Sequence, residues 1–355
     1  MNSKYNVLIM GASYGSLLST KLLMAGHNVT LACSAPSARL INEKGTRVRF
    51  QMKGRAEPLE IASVDLPGHL SAATPSELDA RDFDLAALAM QEPQYASAGV
   101  RELLDGIARG RVPCVSIMNM PPWPYLARIP GLELESLKKC YTDASVWENF
   151  DPALITLASP DPQAYRPPDE GPTVLHVGLP TNFKVTRFDS DEHTKMLHDL
   201  ERDIDAARYK ADEGEIEIPV KLRVHESPFV PMAKWSMLLT GNYRSVGEND
   251  VQPIREAVHG DLELARSVYD WVCTLCQRLG ASQDDLVPFE KYAEAAKGLK
   301  NPSSVARAVA GGGTEVERVD CLVRTIASQI GMSSEEVDRI VARLDRRLGE
   351  NRAAS

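Results

Sequence analysis

A chain of 355 residues with 43% hydrophobic and 25% charged residues has the composition of a soluble globular protein, long enough for two domains or one large α/β domain, and neither disordered nor fibrous. A formal net charge of -9 argues against a broad basic surface for nucleic acid or anionic lipid. The opening MNSKYNVLIMGASYGS holds a strand-length apolar run broken by Gly11, too short for a secretory or membrane-spanning segment, so a cytoplasmic protein without nucleic-acid or membrane partners is expected.

The first third alternates strand and helix signals: an apolar run Tyr5 to Met10, a helical stretch Ser16 to Ala25, and a second apolar run Val29 to Cys33. That alternation is the signature of parallel βαβ units. Gly26 and His27 stop the helix and Asn28 turns into the next strand. Further strands of the sheet are expected at Val48 to Met52, Leu85 to Met90 and Pro113 to Ile117, with a helix from Tyr95 to Ala108. From Pro121 to Pro172 the composition shifts to Pro, Asp and Tyr (PPWPYL, SPDPQAY, RPPDEGP), which favours turns and extended segments decorating the first domain. A strand Thr173 to Leu179 and a helix Asp191 to Ala207 follow. From Pro228 onward the pattern is helical: Met232 to Tyr243, His259 to Leu279, Leu286 to Leu299, Thr314 to Ile330 and Ser334 to Leu348. The expected organisation is a Rossmann-type dinucleotide domain over 1-225, with a Pro-rich insertion near 121-172, and an all-helical domain over 226-355 for substrate binding and dimerisation.

The six cysteines (33, 114, 140, 273, 276 and 321) are scattered through a chain too large to need disulfides, and are read as reduced thiols. Cys273 and Cys276 form a CxxC inside SVYDWVCTLCQRLG, the pattern of a buried helix. No second Cys or His pair has metal-site spacing nearby, and no metal is expected.

Directly after the first strand comes Gly11-Ala12-Ser13-Tyr14-Gly15-Ser16, before a helix. In the fingerprint GxGxxG, glycines let the backbone turn tightly and approach a diphosphate seated at a helix N-terminus. Only Gly11 and Gly15 are present, four apart, with Ser13 between them, so the amides of Tyr14, Gly15 and Ser16 would carry more of the diphosphate. An Asp or Glu at the end of the second strand would hold the ribose hydroxyls of NAD. This chain has Cys33-Ser34-Ala35-Pro36-Ser37-Ala38-Arg39 instead, and Ser34 and Arg39 suit a 2′-phosphate, so NADP(H) is the expected cofactor.

In the C-terminal half, AKWSMLLTGNYRSV places Lys234 and Asn242 on one helical face, and NPSSVARAVAGGGTEVERVDCLV holds Ser303 and Glu315 twelve residues apart. On a regular helix Glu315 would share a face with Val319, Leu322, Ile326 and Ile330, with Thr314 and Glu317 forming a capping box. Asn119 follows one strand in SIMNM, and Gln91 and Gln94 follow another. With the opening βαβ unit these features resemble the ketopantoate reductases (2-dehydropantoate 2-reductases), clearly over residues 4 to 45 and 230 to 332. The resemblance implies a Rossmann domain followed by a helical domain like the C-terminal part of 6-phosphogluconate dehydrogenase. It implies Lys234 and Glu315 as catalytic residues, Asn119, Asn242 and Ser303 at the substrate, and Gln91 at the cofactor. Three departures stand out: Leu238 where the family has its first Asn, Met120 where it has Gly after Asn119, and Gln91 where it often has Lys. The first of them, an apolar group where an amide would contact substrate, points to a substrate other than ketopantoate.

The reaction so implied is NADPH-dependent reduction of a 2-oxo acid or related ketone. The cofactor carries the hydride, while the protein supplies a proton and stabilises the alkoxide, a role suited to the Lys234 ammonium. Two alternatives use the same features: an opine-type imine reductase, and a non-catalytic NADP(H) sensor. A homodimer is a further expectation, through an apolar stripe on one C-terminal helix that would equally pack inside the domain.

Overall fold

The computed structural model describes residues 4-13, 15-52, 54-55, 57-159, 164-167, 170-178, 182-211 and 214-355. Its strands are β1 Asn6–Met10, β2 Asn28–Ala32, β3 Arg47–Phe50, β4 Leu59–Ala62, β5 Leu70–Ala73, β6 Leu85–Leu88, β7 Cys114–Ser116, β8 Ile155–Ser159, β9 Ala164–Tyr165, β10 Val174–Val177, β11 Phe183–Thr186, β12 Tyr209–Ala211, β13 Gly214–Ile216 and β14 Leu222–His225. Its helices are α1 Gly15–Met24, α2 Ala35–Lys44, α3 Val100–Arg109, α4 Asp191–Ala206, α5 Lys234–Met237, α6 Ile254–His259, α7 Leu262–Arg278, α8 Phe289–Ala296, α9 Ser304–Ala310, α10 Val319–Gln329 and α11 Glu335–Ala354. The chain forms two compact units: unit 1 comprises 1-90, 94-118 and 146-226, and unit 2 comprises 91-93, 119-145 and 227-355.

Unit 1 is built on a sheet of order β14-β11-β8-β7-β6-β1-β2-β5. The five pairings from β8 through β7, β6, β1 and β2 to β5 are all parallel, with Val7 level with Val29 on one side and Leu85 on the other. Strands such as NVLIM and LAAL are apolar throughout because both faces of a parallel sheet are covered. From β1 the chain winds outward through β2 and β5, then returns to β6 and winds the other way. The switch therefore lies between β1 and β6, and at such a point the carboxyl ends of the strands leave a crevice for a ligand. α1 is buried along its whole length and stops where Gly26 (φ 88°) allows the His27 amide to reach back to Leu22 O, 3.0 Å away.

Several elements differ from the sequence-based expectation. The strand expected at Val48 to Met52 exists as β3, but it lies in a second sheet of order β4-β3-β10-β9. Its neighbours β4 (antiparallel) and β10 (parallel) make that pairing, and β10 lies too far along the sequence for local pattern to reveal it. The helix expected from Tyr95 begins only at Val100, because Gly99 at φ 78° precedes it and 92-96 forms a 3₁₀ turn. The Pro-rich stretch, expected as one decoration of the first domain, is divided. Residues 119-145 belong to unit 2 as a series of 3₁₀ turns, whereas 146-159 belong to unit 1 and end in β8, a strand of the main sheet.

Unit 2 is helical, with only an isolated bridge between Val246 and Val251 among its described residues. Its core includes a stacked pair, Tyr269 on Tyr292 with ring centroids 5.4 Å apart, and the edge of Phe289 against Tyr269. The CxxC lies within α7, with Cys276 buried. Among the described residues no helix is long and apolar enough to cross a membrane, and no cluster of three or more His, Cys, Asp or Glu side chains could hold a metal.

Candidate functional site

The loop after β1 belongs to unit 1. At Gly11 φ is 105°, and a Cβ there would lie 2.6 Å from Ala89 O and 2.7 Å from Met90 Cγ, so the turn out of the strand requires glycine. Gly15 lets α1 close on β1, since its Cβ would lie 2.4 Å from Ile9 Cγ2. These are the turning and packing roles of the first and third fingerprint glycines, and the position between them is Ser13. Ser16 serves the loop itself: its amide donates to Ser13 O at 3.2 Å and its hydroxyl donates to Ala12 O. An expectation that the Ser16 amide faces a diphosphate is therefore not met in this conformation. Tyr14 lies outside the described residues.

A residue with no signal in the local sequence joins this loop. Arg166, just after β9, donates from Nη2 to Ala12 O at 2.8 Å. Burial lowers its pKa from the ordinary arginine value, the Cys33 thiol opposes that shift, and among the described residues no carboxylate pairs with it. Cys33 ends the second strand region, so this guanidinium stands near both the loop and the place where a Rossmann acid would sit. Ser34 is the exposed N-cap residue of α2; its hydroxyl does not cap the helix but donates to Ser37 Oγ at 3.0 Å. Arg39 is exposed on the same helix.

Within unit 2, Lys234 is half-buried at the start of α5, and α5 passes at Leu238 into a π-helical turn that runs to Tyr243. Eight residues of regular α-helix overshoot two full turns by about 80°. The wider π turn offsets much of that rotation, and such turns are frequent at functional sites. The departure from α geometry therefore brings Asn242 closer to the azimuth of Lys234 than a regular helix would. Gly241 makes room for the turn's support: Tyr292 donates its hydroxyl to Met237 O at 3.1 Å, and a Cβ on Gly241 would lie 2.0 Å from that hydroxyl. Gly241→Ala is expected to displace Tyr292 and lower stability by about 1–3 kcal/mol, read as a shift of the urea midpoint; an unchanged midpoint would show that the ring moves without cost. Leu238 and Met120, two of the departures from the family pattern, are both buried.

The segment before α10 overturns one expectation. Helix was predicted from Thr314, but α10 begins at Val319, and 314-318 is not helical. Glu315 is therefore not on an apolar helical stripe; it is exposed, while Glu317 is 5% exposed. The predicted Thr314–Glu317 capping box does not form because Glu317 has other partners. Its carboxylate accepts from Asn119 Nδ2 at 3.1 Å and from the Glu92 amide at 3.3 Å, and its backbone carbonyl accepts from the Tyr243 hydroxyl at 2.6 Å. Tyr243 Oη also accepts from the Val319 amide at 2.9 Å, so one buried tyrosine ties the π turn to the start of α10.

Burial pushes the Glu317 carboxyl up from the ordinary range, while the Asn119 amide, the Glu92 N–H and the charge of Lys234 act in the opposite direction. Glu92 is pushed up to about 7, chiefly by burial; hydrogen bonds from Thr142 oppose this, and the charges of Glu317 and Glu315 reinforce it. Asn119, Lys234, Glu92, Glu315 and Glu317 thus interact electrostatically within one unit. Ser303 lies in the same unit but is spent on structure: its hydroxyl donates to Asn242 O at 2.7 Å and accepts from the Ala306 amide at 3.0 Å, capping α9. Gln91 is half-buried and directly follows Met90. Glu92, Tyr243 and Glu317 escaped sequence reasoning. The available signals were an acid four residues past the end of a sheet strand and a second acid two residues beyond Glu315.

No family model matches the chain, and no curated protein sequence matches it significantly. Solved structures do match over their whole length. A PanE/ApbA family ketopantoate reductase from Ralstonia eutropha JMP134 is 15% identical, over 98% of this chain and 99% of that one, with a TM-score of 0.65. A 2-dehydropantoate 2-reductase from Methylococcus capsulatus is 13% identical, over 99% and 98% of the two chains, with a TM-score of 0.63. A D-mandelate dehydrogenase solved with NADH and anilino(oxo)acetate is 14% identical, over 98% and 99%, with a TM-score of 0.61. The fold of this chain is that of the ketopantoate reductases, a Rossmann-type domain with a helical C-terminal part.

Proposed function

We propose that the protein is an NADPH-dependent reductase of a 2-oxo acid or a related ketone, with a substrate other than ketopantoate. The observation that carries this reading is the buried carboxylate of Glu317, which accepts from Asn119 and feels the charge of Lys234, in a fold whose first loop has the turning and packing glycines of a dinucleotide site. A bound reduced nicotinamide would supply the hydride. Lys234 would hold the developing alkoxide and give it a proton, a preorganised cation being most effective where water is excluded. Glu317 holds the Asn119 amide by its nitrogen, which leaves the side-chain oxygen of Asn119 to accept from a donor in the site. Glu315, exposed and without helical constraint, would reach a substrate hydroxyl; Asn242 would add a polar contact. The active form would be a homodimer or a monomer, to be distinguished by sedimentation.

For the coenzyme, Gly11 and Gly15 would cradle the diphosphate, with Arg166, Ser34 and Arg39 at the 2′-phosphate. The half-buried Arg166 guanidinium, which donates to the Ala12 carbonyl and pairs with no carboxylate among the described residues, supports NADPH over NADH. Thermal shift with each coenzyme, followed by a 2-oxo acid panel monitored through NADPH absorbance, tests the reading. Stabilisation by NADPH and turnover of at least one oxo acid are expected; stabilisation by neither coenzyme would overturn it. Arg166→Gln is expected to weaken NADPH binding about tenfold to a hundredfold, the loss of a charged hydrogen bond, while NADH binding stays within a few fold. Equal losses for both coenzymes would place Arg166 at the diphosphate instead.

A further inference from the structure

Two cysteines of unit 2, distant in sequence, meet in space. Cys140 ends the 3₁₀ segment Glu135–Cys140, and Cys321 lies in the first turn of α10. Their sulfurs are 3.4 Å apart, with the Cys140 S–H donating to Cys321 Sγ, and Thr325 Oγ1 lies 3.5 Å from Cys140 Sγ. We propose that Cys140 and Cys321 are a peroxide-reactive dithiol, Cys321 attacking and Cys140 resolving, which closes to a disulfide that pins the start of α10 to the 135-140 segment.

The division of roles follows from exposure and charge. Cys321 is half-buried, within reach of a small oxidant, whereas Cys140 is 2% exposed and meets its partner from behind. The Cys321 thiol is pulled below the ordinary thiol range, first by the hydrogen bond from Cys140 and then by the positive charges of Arg318 and Arg324; burial and the Asp320 carboxylate oppose this. The same hydrogen bond and burial push Cys140 far up, with the Thr325 hydroxyl and the Lys139 charge pulling the other way, so the proton stays on the resolving sulfur. Burial alone raises Cys114, and burial leads the rise at Cys33, Cys273 and Cys276, so Cys321 is the thiolate-forming member of the six.

The geometry leaves little to do. A disulfide needs sulfurs about 2.05 Å apart, so the pair must close by roughly 1.4 Å. The 3₁₀ segment already lies along α10: Gln329 Nε2 donates to Glu133 O (2.8 Å) and Ser136 Oγ (2.9 Å), and the Glu133 amide donates to Gln329 Oε1 at 3.0 Å. In the first step the Cys321 thiolate attacks one peroxide oxygen and the O–O bond breaks, leaving a sulfenic acid and hydroxide. In the second, the Cys140 sulfur attacks the Cys321 sulfur, and its proton leaves with the sulfenic hydroxyl as water. The two sulfurs together lose two electrons, which the peroxide gains. Glu317, which holds Asn119, lies four residues before Cys321, so the bond would tether the segment bearing that carboxylate. This chemistry does not depend on the reductase reading.

The test uses the intact protein, exposed to hydrogen peroxide at neutral pH, alkylated under acid and digested with trypsin. A dithiothreitol-sensitive link between peptide 319-324 and the peptide beginning at Cys140 is expected. Iodoacetamide should label Cys321 about tenfold faster than Cys33 or Cys273. Cys321→Ser should abolish the link, and Cys140→Ser should leave a sulfenic acid on Cys321 that dimedone traps. The wild-type link stands whether or not either variant folds. Direct passage of Cys321 to sulfinic acid, a link to another cysteine, or six thiols still titratable after peroxide would each overturn the proposal.

Discussion

Lys234→Ala is expected to lower kcat for the best 2-oxo acid by about 10²–10⁴-fold, the usual contribution of a positioned general acid, with NADPH binding retained. The substitution should cost little in folding, since Lys234 opens a helix and is only half-buried, and alanine is the strongest helix former. Loss of turnover can then be separated from loss of structure by thermal melting of the same sample. Lys234→Arg keeps the charge but presents a guanidinium that gives up its proton far less readily. It should recover oxo-acid binding, seen as a KM near wild type, without recovering kcat. If the alanine variant turns over within a few fold of wild type while still binding NADPH, the proton has another source.

How much of this was legible in the sequence differs between the two units. The opening βαβ was legible because its strands are apolar runs of the right length, its helix ends in a glycine stop, and each element meets its neighbour within thirty residues. Strand β3 was legible as a strand but not as a member of a second sheet, since its pairing with β10 depends on residues more than a hundred positions away. Arg166 was invisible for the same reason: nothing local distinguishes it, and only the chain's return to Ala12 gives it a role. The Pro-rich composition of 121-172 correctly predicted turns but could not show that the stretch divides between units or contains β8.

In the candidate site, residue types were easier to read than residue geometry. Lys234, Asn242, Asn119 and Ser303 were singled out by spacing and resemblance. Yet spacing assumed a regular helix where a π turn exists, and assumed helix at Glu315 where the chain is still irregular. Apolar periodicity continues from Val316 to Val319 and hides the helix start. What decides it is a tertiary contact, the Tyr243 hydroxyl between Glu317 O and the Val319 amide. The result moves the buried acid from Glu315 to Glu317, and periodicity alone could not have made that distinction.

That buried acid and its neighbour Glu92 should leave a mark on stability as a function of pH. The Glu92 carboxyl is pushed up from the ordinary 4.5 to about 7, so between those pH values the folded protein holds a proton that the unfolded chain has released. Stability falls with rising pH wherever the native state binds more protons, so unfolding free energy should decline from about pH 4.5 to pH 7 and level off above. The loss from this one group is on the order of 3 kcal/mol. Glu317, raised in the same direction by burial, adds to the decline. Glu92→Gln cannot ionise, yet its side-chain oxygen can still accept from the Thr142 hydroxyl, which donates to the carboxylate at 2.9 Å. The variant should match wild type below pH 4.5 and exceed it at pH 8, in urea midpoints measured across the range. Glu317→Ala should behave differently, because it leaves the Asn119 amide and the Glu92 N–H without their acceptor. Each unsatisfied donor costs about 1–3 kcal/mol at every pH where the carboxylate or carboxyl had accepted. Parallel wild-type and Glu92→Gln curves from pH 4.5 to 8 would mean that Glu92 ionises normally and that water reaches the cluster. In that case Lys234 would work in a solvated site, where an ammonium stabilises an alkoxide far less, and the expected effect of removing it would shrink accordingly.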